Sequence, residues 1–307
     1  MRYEQAERRK LVELIRRFSF PLEPLPPPPL SPPPDQESFP DAGPPRAVLF
    51  DVYGTLFCSA AGDIGTEGEP GTGGPGRRED LLEELAEEYA PGLSGTDLRG
   101  FFEQGVRVFH RELAEKTVFP ELRVEELWAR FLEGREAGGD PARRSRELAL
   151  RYELAVNPVW PMPGAEETLR ALARSPGILG IISNAQFYTP LLFEAFFGSP
   201  PEALGFDPAL LIYSFEAGEA KPAPGLFRRA AERLAERGAA PAQCLYVGND
   251  MFKDIYGAAS AGFKTALFAG DGRSLRLREG EERLRGLRPN RIIRRLAELA
   301  ELSPPVN

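Results

Sequence analysis

Four groups of residues in this 307-residue chain have the types and spacing to do chemistry. Asp51 ends the apolar run Val48-Leu49-Phe50 and is followed by Tyr53, Gly54 and Thr55. Ser183 and Asn184 end a second apolar run, and Lys221 follows a third. Gly248, Asn249 and Asp250 end a fourth, with Asp254 four residues later. Together they offer a carboxylate nucleophile, a hydroxyl, an ammonium to offset negative charge, and an acidic cluster of the kind a hard cation prefers. Singly, each is weak. An aspartate at a strand end commonly caps a helix or turn, and a lone lysine is commonly solvated. Their placement at successive strand ends is the signal.

The elements that must position them are readable from periodicity. Near-continuous apolar runs at 47–50, 177–183, 210–215, 244–248 and 264–268 alternate with helical patterns, as in GAEETLRALARS and PGLFRRAAERLAER. Buried strands separated by helices predict an α/β fold, a doubly wound Rossmann-like parallel sheet covered on both faces. Such sheets bind ligands beyond the carboxyl ends of their strands. Residues 79–155 break the rhythm and show helical periodicity only, so an all-helical unit is inserted after the first strand. The predicted organisation is an N-terminal amphipathic helix and proline-rich arm at 1–45, a core at 46–58 and 159–302, and a helical cap with a glycine-rich loop at 59–158.

Composition excludes several function classes. The net charge of −8 and pI of about 5.1 argue against nucleic-acid or anionic-membrane partners, which reward clustered Lys and Arg. Two cysteines, Cys58 and Cys244, make no disulfide framework and fit a reducing compartment. No run approaches the length of a spanning helix, and the N-terminus lacks a signal-peptide core, so a cytoplasmic protein is expected. In the arm, Leu11, Leu14, Ile15 and Phe18 have helical spacing, and PLEPLPPPPLSPPP predicts extended polyproline. The arm reads as a tail with its helix folded back on the body; the alternative is a docking peptide for a partner.

The chain resembles the haloacid dehalogenase superfamily in DVYGTL from Asp51, Ser183-Asn184, Lys221-Pro222, and VGNDMFKD from Val247 followed by GAASAGF. These motifs span about residues 46–270, in order. The resemblance implies a Rossmann-like core whose first aspartate attacks a substrate carbon or phosphorus, and a helical cap inserted after the first motif. It implies a catalytic set of Asp51, Tyr53, Thr55, Ser183, Asn184 and Lys221. Asp51 is the nucleophile, Thr55 and Ser183 hydrogen-bond the transferring group, and Lys221 holds Asp51 and the substrate's charge. Mg²⁺ is implied on Asp51, Asp250 and Asp254. Asn249 stands where many family phosphatases carry an acid, so it is a further candidate ligand, with Asp250 substituting by register or binding through water.

Tyr53 departs from the phosphatase pattern, which places a second aspartate there as proton shuttle. A phenol of pKa near 10 replaces it poorly. Tyrosine at this place is typical of the metal-independent 2-haloacid dehalogenases. Those also carry a tyrosine where this chain has Phe227 and an asparagine where it has Met251, and a halide site has no use for Asp250. The leading expectation is a Mg²⁺-dependent phosphatase acting on a small phosphorylated metabolite through an aspartyl-phosphate. The alternatives are a 2-haloacid dehalogenase and a catalytically weak binding protein. His110, the sole histidine, is a candidate replacement acid, Asp63 a candidate specificity residue, and Arg107, Arg111 and Arg123 candidate readers of a second anionic group.

Overall fold

The computed structural model describes residues 4–31, 44–61, 75–113, 117–135 and 138–302. Strand β1 (Ala47–Phe50) is buried along its whole length. Its side chains alternate between two cores: Val48 and Phe50 join one cluster, Ala47 and Leu49 the other. That alternation is what a strand covered on both faces requires. It runs parallel between β4 (Ile178–Ser183) and β6 (Cys244–Gly248), with Phe50 opposite Ile181 and Val247. With β5 (Phe206–Tyr213), β7 (Lys264–Phe268) and β8 (Arg291–Ile293) they form a parallel sheet in the order β5-β4-β1-β6-β7-β8. The chain winds outward in both directions from β1, so the carboxyl ends of β1, β4 and β6 border the switch-point crevice.

After β1 the chain turns into β2 (Phe57–Ser59), which pairs antiparallel with β3 (Val159–Pro161). Between these strands lie α2 (Pro75–Tyr89), α3 (Gly95–Leu113), α4 (Val124–Leu132) and α5 (Pro141–Val156). Helix α5 starts where Asp140 accepts the Ala142 amide and Pro141 occupies the first helical position, a pairing that satisfies one orphan donor and removes another. The insertion has its own aromatic centre: Trp128 lies 4.9 Å from Tyr152 and Phe101 lies 4.7 Å from Phe131, ring centroid to centroid. Edge and offset contacts of this kind add roughly 0.5–1.5 kcal/mol each beyond area burial.

The remaining helices, among them α6 (Ala165–Leu172), α7 (Thr189–Phe197) and α9 (Pro224–Ala235), cover the sheet. The N-terminal helix α1 (Gln5–Phe18) packs on both α7 and α5. Leu11 and Ile15 are buried, Arg8 Nε lies 2.6 Å from Glu194 on α7, and Arg146 Nε on α5 lies 2.6 Å from Glu7. Residues 21–31 then run over the core, where the Leu25 amide donates to Asp271 Oδ1 at 2.8 Å and the Gly272 amide donates to the Leu25 carbonyl at 2.7 Å. The first part of the arm is therefore fastened to its own body. The glycine-rich loop and Asp63 lie outside the described residues. Among the described residues, no helix is long and apolar enough to cross a membrane.

Candidate active site

Asp51 lies immediately beyond β1, at the crevice. Ser183, the last residue of β4, donates its hydroxyl to Asp51 Oδ1 at 2.7 Å. Lys221 Nζ donates to the same oxygen at 2.6 Å. Asp51 Oδ2 makes no hydrogen bond among the described residues. The Lys221 ammonium also donates to Asp254 Oδ1 at 2.5 Å and to the Tyr246 hydroxyl at 3.0 Å, so all three of its protons have acceptors. Asn184 fixes the lysine's main chain, its Oδ1 accepting the Lys221 amide at 2.7 Å.

The turn after Asp51 is tight because Val52 O accepts the amides of Leu56 and Phe57, at 2.9 and 3.0 Å. Gly54 sits in it at φ 79°, and a Cβ there would lie 2.6 Å from Asn249 Nδ2, so conformation and space both demand glycine. At the end of β6, a Cβ on Gly248 would collide with the Asp254 carboxylate. Asp254 Oδ2 accepts the Asp250 amide at 2.9 Å. Asp250 is engaged through both oxygens: Oδ1 caps the following π-helical turn (Met251–Tyr256) by accepting the Phe252 and Lys253 amides, and Arg278 grips the carboxylate from outside, with Nη2 2.6 Å from Oδ2. Thr55 Oγ1 donates to Asn249 Oδ1 at 3.2 Å. Asp51, Tyr53, Asn184, Lys221, Asn249, Asp250, Lys253 and Asp254 line a small cavity of about 20 Å³, room for about one water.

Charge is unevenly held. Burial alone would lower the Lys221 pKa, but Asp254 and Asp51 beside it push it above an ordinary lysine's. Two buried carboxylates share that one ammonium. Burial, reinforced by the charges of Asp51 and Asp250 against the pull of Lys221, raises Asp254 to about 7. Asp250 moves the other way: burial would raise it, but Arg278 and the capping amides hold it below the usual carboxylate range. Tyr53 is pushed well above 10, first by burial, with Glu153 and Asp51 adding to it against the hydrogen bond to Thr189.

A carboxylate held through one oxygen, a lysine bridging two acids and a strand-end hydroxyl converge on one crevice, and the sequence around them matches the family model described as haloacid dehalogenase-like hydrolase over residues 45–262. The chain belongs to that hydrolase family. Among curated relatives, the phosphoglycolate phosphatase of Xylella fastidiosa strain Temecula1 is 31% identical over 222 residues, covering 71% of this chain and 77% of that protein. The phosphoserine phosphatase of Thermus thermophilus is 36% identical over 132 residues, 42% of this chain and 48% of that protein. Among solved structures, the 2-haloacid dehalogenase of Pseudomonas syringae superposes with a TM-score of 0.54 at 22% identity, covering 84% of this chain and 97% of that one, a likeness of fold.

In this hydrolase, Asp51, Ser183, Asn184, Lys221 and Asp254 form one connected hydrogen-bond network. Tyr53 lines the cavity, but its hydroxyl is 2.8 Å from Thr189 Oγ1. Thr55 is buried and turned to Asn249. His110 is exposed in the last turn of α3 and is absent from the cavity lining. Arg107 lies 3.5 Å from Glu103 on an exposed helix face, whereas Arg123 lies 3.1 Å from Glu125, whose side chain is buried.

Sequence reading missed two participants. Tyr246 looks like a core aromatic in the run CLYVG, yet its hydroxyl donates to the Ile182 carbonyl at 2.7 Å while accepting from Lys221. Phe227 packs edge-on against that ring at 5.1 Å, so a phenol contacts the lysine from the strand rather than from position 227. Arg278 pairs with Asp250 from 28 residues away and holds a left-handed backbone at φ 55°.

Proposed function

We propose that this hydrolase is a phosphatase acting on small phosphorylated metabolites through an aspartyl-phosphate on Asp51. The observation that carries the reading is the asymmetric placement of the Asp51 carboxylate: Ser183 and Lys221 hold Oδ1, and Oδ2 is left without a partner. A carboxylate fixed through one oxygen attacks with the other. Oδ2 forms a bond to phosphorus as the bond from phosphorus to the leaving oxygen breaks. Water then attacks the phosphorus of the aspartyl-phosphate, releasing inorganic phosphate and restoring the carboxylate. The phosphatase names of the two curated relatives support the same chemistry.

Lys221 keeps the nucleophile oriented and offsets the charge that accumulates when a phosphoryl group meets a carboxylate. Tyr53 is committed to Thr189 and raised by burial, so it is a poor donor to a leaving oxygen. Substrates whose leaving group needs little protonation, such as acyl phosphates, are therefore favoured.

The donor set suits Mg²⁺ in a restricted way. Asp250 and Asp254 have both oxygens engaged, and no group of three or more acidic, histidine or cysteine side chains among the described residues is arranged to hold a metal. Asp51 and Asn249 line the same cavity, and Asp51 Oδ2 and Asn249 Oδ1, which accepts the Thr55 hydroxyl, have capacity to spare. One carboxylate and one amide oxygen are the modest protein share that Mg²⁺ accepts, since it keeps waters and binds substrate oxygens. Asp51 and Asn249 would hold it, with Asp250 and Asp254 acting through water. Bound there, the ion supplies positive charge to the phosphoryl oxygens.

The full engagement of Asp250 and Asp254 favours a second reading, metal-free dehalogenation. One assay separates them: purified protein with Mg²⁺, phosphate esters, acyl phosphates and 2-chloropropionate. Phosphate release that disappears in Asp51→Asn and with EDTA supports the phosphatase. Chloride release without metal overturns it. Silence on every substrate by a folded protein points to a binding role.

A further inference from the structure

The cavity at Asp51 has room for about one water, and its lysine belongs to a loop held from outside the sheet. Three segments are hydrogen-bonded to one another beside Lys221. The loop after β4 (residues 184–188) supplies Asn184, which fixes the Lys221 amide, and two residues later Gln186. The loop before Lys221 (residues 218–220) pairs antiparallel with residues 119–121 of the helical insertion, around Pro120 and Glu219. The Ala220 amide donates to the Phe119 carbonyl at 2.8 Å and the Glu121 amide to the Gly218 carbonyl at 3.2 Å. The insertion is therefore hydrogen-bonded to the loop that ends in the catalytic lysine.

Gln186 ties the third segment to the other two. Its side chain is buried at 3% exposure and saturated by the insertion. Nε2 donates to the Leu122 carbonyl at 2.7 Å and to Glu121 Oε1 at 3.0 Å, and Oε1 accepts the Val124 amide at 3.1 Å. That amide belongs to the first residue of α4, one of the helix's four orphan donors, which Gln186 satisfies from another part of the chain. The Gln186 main chain faces the nucleophile's turn: its amide donates to Thr189 Oγ1 at 3.1 Å, and that hydroxyl contacts the Tyr53 hydroxyl. A continuous chain of hydrogen bonds thus runs from Tyr53 through Thr189 and Gln186 to α4, and the segment it grips pairs with the lysine loop.

We propose that Gln186 is a positioning residue that fastens the 119–124 segment against the loop that carries Lys221, so that docking of the insertion and setting of that loop are one event. Glutamine suits the role because its amide presents donor and acceptor together. Glutamate could not donate to the Leu122 carbonyl and would set a second charge beside Glu121. The role needs this chain to be a hydrolase of the family, and only its kinetic arm rests on the proposed phosphatase activity.

Two variants of the full chain test it. Gln186→Leu keeps the volume and removes the amide. Val124→Pro removes the N–H that Oε1 accepts, together with a buried valine side chain whose loss Val124→Ala measures separately; proline is tolerated at a first helical position, and Arg123 before it has the extended backbone (φ −94°, ψ 105°) that precedes proline comfortably. Hydrogen exchange without substrate should show residues 119–124 and 218–221 exchanging at least ~10-fold faster in either variant, with β4 unchanged and no further gain in the double variant. Unchanged exchange in these segments overturns the proposal whatever the substrate proves to be. If Gln186→Leu does not fold, Val124→Pro alone decides. On the best phosphate substrate, kcat should fall at least ~10-fold while KM moves by less than about threefold. A rise in KM with kcat intact would make Gln186 part of the access route and not a positioning residue. A wild type silent on every phosphate ester, with the exchange result as expected, removes the phosphatase reading and leaves the fastening in place.

Discussion

The Tyr53 hydroxyl is 2.8 Å from the Thr189 hydroxyl, both buried, so the tyrosine two residues after Asp51 is engaged away from that carboxylate. A residue in that place with a free, easily lost proton could serve a leaving group. Tyr53 has neither property, because burial raises its pKa and Thr189 occupies its oxygen. Tyr53→Phe should therefore keep kcat within about threefold of wild type and cost about 1 kcal/mol of stability for the lost hydrogen bond. A fall of two orders of magnitude in kcat on poor leaving groups, absent on good ones, would make it the proton donor after all.

His110 invites the same question from the other side. An imidazole is a common proton-transfer group, but this one is exposed on α3 and does not line the Asp51 cavity. His110→Ala is expected to turn over like wild type at every pH. A loss of more than about tenfold in kcat would place α3 over the site during turnover.

These two residues show where sequence reading is strong and where it stops. Asp51 and Ser183 are visible at strand ends, and Lys221 and Asp254 in the segments that follow strand ends, because a parallel sheet gathers the ends of its strands and hydrophobic periodicity locates those ends. The short β8 carries only three residues after a polar stretch, and the β2 and β3 pair is shorter than any pattern a period can mark. Tyr246 was hidden because an aromatic inside an apolar run reads as packing, and only the fold turns its hydroxyl to Lys221. Arg278 and Gln186 act through single side chains reaching segments 28 and more than 60 residues away, and no local spacing encodes such a reach. The destination of α1, between α5 and α7, was illegible for the same reason: amphipathicity says that a face is buried, not against what.

Lys221 is the only cation within hydrogen-bond distance of both Asp51 and Asp254 among the described residues. Lys221→Met preserves much of the stem and leaves two buried carboxylates uncompensated, a change that typically costs ~3–5 kcal/mol. The variant should be inactive and melt well below wild type at pH 8, with the gap narrowing at pH 5 as a carboxylate takes up a proton. Adding Asp254→Asn should recover melting temperature and not activity. A single variant as stable as wild type at pH 8 would mean that the ammonium contributes no net stabilisation to the pair.

The last prediction concerns pH and follows from Asp254. In the folded protein its pKa is raised from 3.8 to about 7, burial being the main cause. Between these values the folded state binds a proton that the unfolded state has lost. Stability from this group is therefore fully present below the unfolded value and is lost as pH rises through about 7. Wild type should lose melting temperature between pH 5 and pH 8 relative to Asp254→Asn, which cannot ionise there. Asp250 contributes with the opposite sign, its lowered pKa giving stability that is lost only as pH falls into the acid range, so it does not mask the effect. Thermal melts of both proteins across that span test the assignment. Parallel curves would mean that Lys221 keeps Asp254 ionised throughout, with the ion pair overcoming the burial that otherwise favours the proton.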